Sequence, residues 1–322
     1  MLKFTHQFRA MGTEVALWLW HANESIAHRV LRQIEQFFAQ TEARLSRFKT
    51  NSELSRLNRS AGKPFTASPL LFDLVDAALI WRQRTDGIFD PTILRALLAH
   101  GYDRSFEDIA NRPDTAVHAE RSISPARSQV KLNRSKHTIT LPQNVGLDLG
   151  GIAKGWTVQQ AGQRLRRLGP ALVDAGGDIV CTGLPPNGSA WLVGIEDPLQ
   201  PDKDVATLIL NHEAVATSSL VRRRWQHQGR LAHHLIDPRT GVPANTDLLS
   251  VTVIGPRLPA AEIQAKVALI LGTEKGLAYL ASQADIAALL VATDGRQLTC
   301  GTFEEKAYVY TNNFSDTFVT LV

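Results

Sequence analysis

Gly146-Leu147-Asp148-Leu149-Gly150-Gly151-Ile152-Ala153-Lys154-Gly155 is the most informative stretch of this 322-residue chain. Its pattern predicts a tight turn that opens directly into a helix running to about Leu168. Glycines at such a junction let backbone approach a ligand closely, and the free N–H groups of a helix start favour an anion. A lysine there adds a point charge suited to phosphate. The spacing matches neither a Walker A loop nor the glycine fingerprint of a dinucleotide-binding βαβ unit. An ordinary tight turn is the alternative reading of the same residues.

Working outward, the chain before this turn predicts a strand over 12–20 and a helix from an Asn23 cap, with Ile26, Val30, Ile34, Phe37 and Phe38 at three- and four-residue steps. Ser68-Pro69 is a cap followed by proline at the first helical position, and Leu71, Leu74, Val75 and Ala78 supply that helix's apolar stripe. Residues 129–141 read as a hairpin. After the turn come strands over 171–182, 190–196, 205–210 and 250–254, helices over 259–271 and 273–283, and a last hairpin turning at Asp294-Gly295. Helices and strands mix without strict alternation, which predicts an α+β fold: one domain over 1–322 with mixed or antiparallel sheets and flanking helices. Within it, 103–128 reads as a polar surface excursion and 303–322 as a C-terminal extension.

Composition narrows the function classes. With 44% hydrophobic and 20% charged residues, collagen-like, disordered and disulfide-scaffold chains are excluded. Thirty-five Lys and Arg against 31 Asp and Glu leave a formal charge of +4, and the densest basic run is only Arg222-Arg223-Arg224, so no nucleic-acid partner is expected. No apolar run approaches the length of a membrane span, and the start carries no signal-peptide or lipoprotein pattern, so the cytoplasm is the expected address. Cys181 and Cys300 are read as buried free thiols.

Further segments could carry chemistry. Asp174-Ala175-Gly176-Gly177-Asp178 reads as a bulge inside a strand or as a place of close backbone approach. His233 and His234 point to opposite faces of an extended segment, so at most one of them faces a given site. Ala216-Thr217-Ser218-Ser219 with Arg222 offers hydroxyls and a cation.

Taken in order, these segments resemble the ApbE family, the FAD:protein FMN transferases. The resemblance rests on Met11-Gly12-Thr13, Ser52-Glu53-Leu54-Ser55-Arg56-Leu57-Asn58, Gly87-Ile88-Phe89-Asp90-Pro91-Thr92, the two Gly-rich turns, Ala216-Thr217-Ser218, His233-His234-Leu235-Ile236-Asp237-Pro238-Arg239-Thr240-Gly241 and Ser250-Val251-Thr252-Val253. It implies a single T-fold-related α+β domain that binds FAD, commonly with Mg²⁺. The family moves the FMN half onto a threonine hydroxyl of a target flavoprotein and releases AMP. By the same resemblance Met11, Ile88, Phe89 and Asp90 line the FAD site; Asp148, Lys154 and Ile236 contact the flavin nucleotide; Phe48 stands where relatives often place a tyrosine; and His234 is the base for the incoming threonine. Metal ligands are implied at the Gly151 carbonyl and on the helix after 250–253, where Glu262 keeps a carboxylate.

Lys266 departs from that pattern. Relatives carry a threonine there, and an ammonium cannot ligate Mg²⁺. A cation 4 Å from another is repelled by about 4 kcal/mol per unit charge pair at an effective dielectric of 20, and a divalent ion feels about double. Glu262 and Lys266, four apart on a helix, could pair. Either Lys266 takes over part of the metal's role at the pyrophosphate, or it points to solvent while the metal binds slightly displaced. Ser219 and Val221 also replace a common glycine and tyrosine, with Arg222 kept. The altered helix leaves two other outcomes open: an FAD-binding relative without turnover, and hydrolysis of FAD to FMN and AMP.

Overall fold

Leu2–Ala10 and Thr13–His21 form an antiparallel hairpin in unbroken register from Leu2↔His21 to Ala10↔Thr13. It begins an eight-stranded sheet in which spatial order follows chain order: Leu2–Ala10, Thr13–His21, Ala171–Ala175, Asp178–Thr182, Ala214–Ser219, Leu248–Gly255, Ala287–Ala292 and Gln297–Gly301. Every neighbouring pair in it is antiparallel. The computed structural model describes residues 1–110, 129–186, 190–227 and 229–309. The α+β reading therefore holds, with antiparallel pairing throughout the main sheet.

Local chemistry starts the elements where the sequence predicts. Asn23 caps the Glu24–Leu45 helix by accepting from the Ile26 N–H at 2.9 Å. Ser68 caps Pro69–Arg84, with proline in the first turn. The predicted strand at 171–182 is instead two strands, Ala171–Ala175 and Asp178–Thr182. Gly176 and Gly177 adopt φ of 63° and 88°, so the double glycine is a two-residue hairpin turn rather than a bulge.

Both faces of the sheet are covered. On one side Glu24–Leu45, Ala153–Leu165 and Leu258–Leu271 bury Leu31, Phe38, Val158, Leu165 and Leu269 against Leu17, Val173, Val253 and Leu290. On the other lies a small sheet of Trp191–Glu196, Asp204–Leu210 and Ala307–Val309 over Leu172, Cys181 and Leu289. A second core, around Leu54, Leu71, Val75, Phe89, Ile139 and Ile152, takes the opposite side of Leu258–Leu271 through Ile263, Val267 and Ile270. That helix is thus packed on both sides, which explains why its sequence is apolar nearly all round.

Two segment boundaries differ from expectation. Within 103–128, Phe106–Ala110 is a short helix whose Ile109 is buried against Leu97, Tyr102 and Trp225; 111–128 lies outside the described residues. The extension expected over 303–322 starts inside the fold, because Phe303 is fully buried and Ala307–Val309 pairs with Asp204–Leu210; 310–322 lies outside the described residues. Cys181 is buried and Cys300 only partly so, and both are free. Among the described residues no helix is long and apolar enough to cross a membrane.

Candidate active site

Three turns meet at one place. In the first hairpin Met11 and Gly12 both take left-handed backbone, φ 53° and 71°, as a two-residue turn between right-twisted strands requires. Thr13 lies against Gly176 of the second turn, where a Cβ would overlap its Oγ1. The Gly-rich turn joins them through Lys154, whose Nζ donates to the Ala175 carbonyl at 3.0 Å and lies 2.6 Å from Asp178 Oδ2. Asp178 is nearly inaccessible, its side chain 3% exposed. Lys154 therefore ties two turns together, with its charge beside that of Asp178.

The start of the Ala153–Leu165 helix is also occupied. Glu262, on a distant helix, accepts from the Gly155 N–H at 3.1 Å. A Cβ on Gly155 would lie 2.6 Å from that carboxylate oxygen, so this glycine admits Glu262 and leaves no room for a ligand there. Gly150 N–H is taken by Asp148 Oδ1 at 2.8 Å. Burial pushes the Glu262 carboxyl up to about 7, Asp178 adds to the rise, and Lys266 and Lys154 oppose it.

Lys266 stands one helical turn beyond Glu262, but the two form no ion pair among the described residues. Its ammonium lies against the backbone of Gly151, where a Cβ would overlap Nζ, and 5.9 Å from the centre of the Phe89 ring. Desolvation lowers its pKa while Glu262, Asp148 and Asp178 hold it up. Lys266 is half-buried, and its ammonium turns to the Gly-rich turn.

Other expected site residues divide by what their side chains already do. Asp148 pairs with Arg47 at 2.5 Å, and the Arg47 guanidinium lies 4.1 Å from the Phe48 ring centre and 4.6 Å from that of Tyr102. Phe48 is exposed on its outer face and Tyr102 continues the stack to Trp225 at 5.1 Å. Asp90 is buried, paired with Arg82 at 2.9 Å and accepting from the Thr92 N–H and hydroxyl, so it braces its own turn. Ile88 and Phe89 pack in the second core. Ile236 is buried with Tyr102 and Trp225, leaving only its backbone to meet a ligand. Met11 touches both main cores.

His233 and His234 separate as an extended segment demands. His233 bonds through Nε2 to the Ala244 carbonyl at 3.1 Å, whereas His234 Nδ1 has no hydrogen-bond partner. Burial, then the charges of Arg223, Lys266 and His233, drive the His234 pKa well below its ordinary value. These surroundings favour its neutral form.

The ApbE family model matches residues 11–290, most of the chain. The chain belongs to the ApbE family. It is 32% identical over 289 residues to an FAD:protein FMN transferase of Treponema pallidum (strain Nichols), covering 84% of this chain and 78% of that protein. To one from Klebsiella pneumoniae (strain 342) it is 29% identical over 291 residues, covering 87% and 86%. The ApbE protein of Thermotoga maritima superposes with a TM-score of 0.85 at 24% identity, over 95% of this chain and 99% of that one. The flavin transferase ApbE from Vibrio cholerae gives 0.76 at 24% identity, over 95% and 100%.

Two cations of this ApbE chain escape a reading by motif. Arg223, not Arg222, reaches the first turn, donating to the Gly12 carbonyl at 3.3 Å; Arg222 pairs with Glu196 at the surface. Their signal was the triple arginine, which cannot say which member turns inward. Arg47 had none, since its partner is 101 residues away. The magnesium site implied by the ApbE resemblance does not fit the donors present. Glu262 is bound to Gly155, an ammonium lies on Gly151, and no group of three or more His, Cys, Asp or Glu among the described residues could hold a metal.

Proposed function

We propose that this chain is an FAD:protein FMN transferase that uses His234 as the base for an acceptor threonine. The supporting observation is an imidazole kept neutral by burial and by the field of Arg223 and Lys266, with an Nδ1 that has no hydrogen-bond partner. A hydroxyl is a weak nucleophile and needs a base, while the pyrophosphate needs positive charge as it breaks.

In the step, the threonine oxygen forms a new ester bond to the FMN phosphorus. The bond from that phosphorus to the bridging oxygen breaks, its electron pair leaves with AMP, and His234 takes the hydroxyl proton. Phe48 offers its exposed face to a flavin or adenine ring, with Arg47 and Tyr102 fixing it from behind. Met11 and the Ile88–Asp90 segment form the wall. Asp148 acts by holding Arg47 and the Gly150 turn rather than by touching the nucleotide.

The test is intact mass of an acceptor domain carrying a flavinylation threonine, incubated with FAD and the protein. A gain of one FMN is expected. His234→Ala should lower transfer at least about a hundred-fold with FAD affinity little changed. Free FMN and AMP with an unlabelled acceptor would mean hydrolysis instead, and bound FAD with no product would mean a relative without turnover.

A further inference from the structure

The charges around the Gly-rich turn balance in number but are not all paired in space. Asp148 is matched by Arg47 at 2.5 Å, Asp178 by Lys154 at 2.6 Å, and Glu262 by the Gly155 N–H at 3.1 Å. Each acid has a partner. Lys266 has neither a hydrogen bond nor an ion pair within 4 Å among the described residues. Yet it projects from a helix packed between two hydrophobic cores, with Ile263, Val267 and Ile270 beside it. Lys266 is half-buried, so its ammonium gives up part of its hydration, and in a stable fold such a group normally finds an anion. Its position is specific too: Nζ rests on Gly151, at a spot that only a residue without Cβ leaves open, with the Phe89 ring on its other side.

Gly151 is also where the resemblance implies that a divalent cation would take a backbone carbonyl. Magnesium needs an octahedral shell of oxygens. Here the one carboxylate on the adjoining helix is committed to Gly155, and the hydroxyl position holds an amine without a lone pair when protonated. The place for positive charge is filled by a side chain.

We propose that Lys266 is a tethered ammonium in place of the divalent metal, pairing with the pyrophosphate oxygens of FAD, so that this protein binds its dinucleotide without a metal ion. The proposal rests on the flavin reading above. Once the dinucleotide is seated, the unmatched cation of the turn has its counter-ion, and the three neighbouring acid pairs need not rearrange.

Binding separates this from the function itself. FAD affinity, followed by quenching of flavin fluorescence, is expected to agree within two-fold between EDTA and 5 mM MgCl₂. A ten-fold loss in EDTA that Mg²⁺ restores overturns the proposal. Lys266→Met keeps an unbranched side chain one atom shorter and removes its charge; affinity should fall at least ten-fold in both buffers, and unchanged affinity overturns the proposal. The wild-type comparison needs no variant, so a poorly folded Lys266→Met does not shelter the idea. Free Mn²⁺, observed by electron paramagnetic resonance, should be depleted no more by FAD-loaded protein than by FAD alone; stoichiometric depletion overturns it. If FAD binds in neither buffer, the flavin reading fails together with the proposal. If FAD binds in EDTA but no acceptor is labelled, the transferase reading fails and Lys266 keeps its role.

Discussion

His234 and Lys154 show how much a residue's neighbours decide. His234 combines burial with nearby positive charge, and both favour its neutral form. Because its folded pKa is lowered, the proton needed to inactivate it binds only below its ordinary value of 6.5. The acid limb of transfer should therefore lie below pH 6.5. Arg223→Met, by removing the largest cationic contribution, should move that limb upward, as a pH profile of acceptor labelling would show. Lys154 tells the opposite story. With Asp178 buried beside it, Lys154→Ala leaves an unpaired carboxylate, and a loss of about 3 kcal/mol in stability is expected. Urea unfolding reads this directly; a variant of unchanged stability but weakened FAD binding would restore Lys154 as a phosphate ligand.

At the scale of the element, Leu258–Leu271 carries the most information. Its alanines, Ala261, Ala265 and Ala268, let it approach the sheet closely, while Ile263, Val267 and Ile270 fill the second core. Its polar residues are therefore exceptions that need partners, and Glu262 finds one at the start of Ala153–Leu165. The Glu262 pKa is raised on folding from 4.5 to about 7. Its contribution to stability is thus full below about pH 4.5 and is lost as pH rises through 7, because the unfolded carboxyl ionises first. Glu262→Gln does not titrate and keeps an acceptor for Gly155. Its urea midpoint relative to wild type should rise from pH 5 to about pH 7 and level off above; a constant difference would show that Glu262 ionises normally. Gly155→Ala should be more damaging, since its new Cβ would meet both the Glu262 oxygen at 2.6 Å and Leu258.

Across the whole molecule, the eight-stranded sheet is the frame that gathers the site. Ordered by chain position and closed at each step by antiparallel pairing, it sets the turns at Met11-Gly12 and Gly176-Gly177 side by side through Val15↔Ala175. The far face depends on the last described segment. Phe303, 0% exposed, plugs the space between the main sheet and Trp191–Glu196 with Asp204–Leu210. Phe303→Ala should cost about 3–5 kcal/mol, measurable by urea denaturation, with FAD affinity little changed.

The sequence by itself determined the helix caps at Asn23 and Ser68, the α+β class, the final hairpin at Asp294-Gly295 and the family, because these rest on local backbone preference and on ordered short motifs. It also singled out Lys266 as a departure from the pattern. It missed Leu2–Ala10 and Ala214–Ser219, whose pairing partners supply what local propensity does not. Only the tertiary structure decided what the charges do. Lys154 turned to Asp178, Asp148 to Arg47, Glu262 to the start of another helix, and Lys266 inward to Gly151 rather than out to water. The Glu262 contact alone joins residues 107 positions apart. Electrostatic energy depends on distance and burial in space, and neither is written in the spacing along a chain.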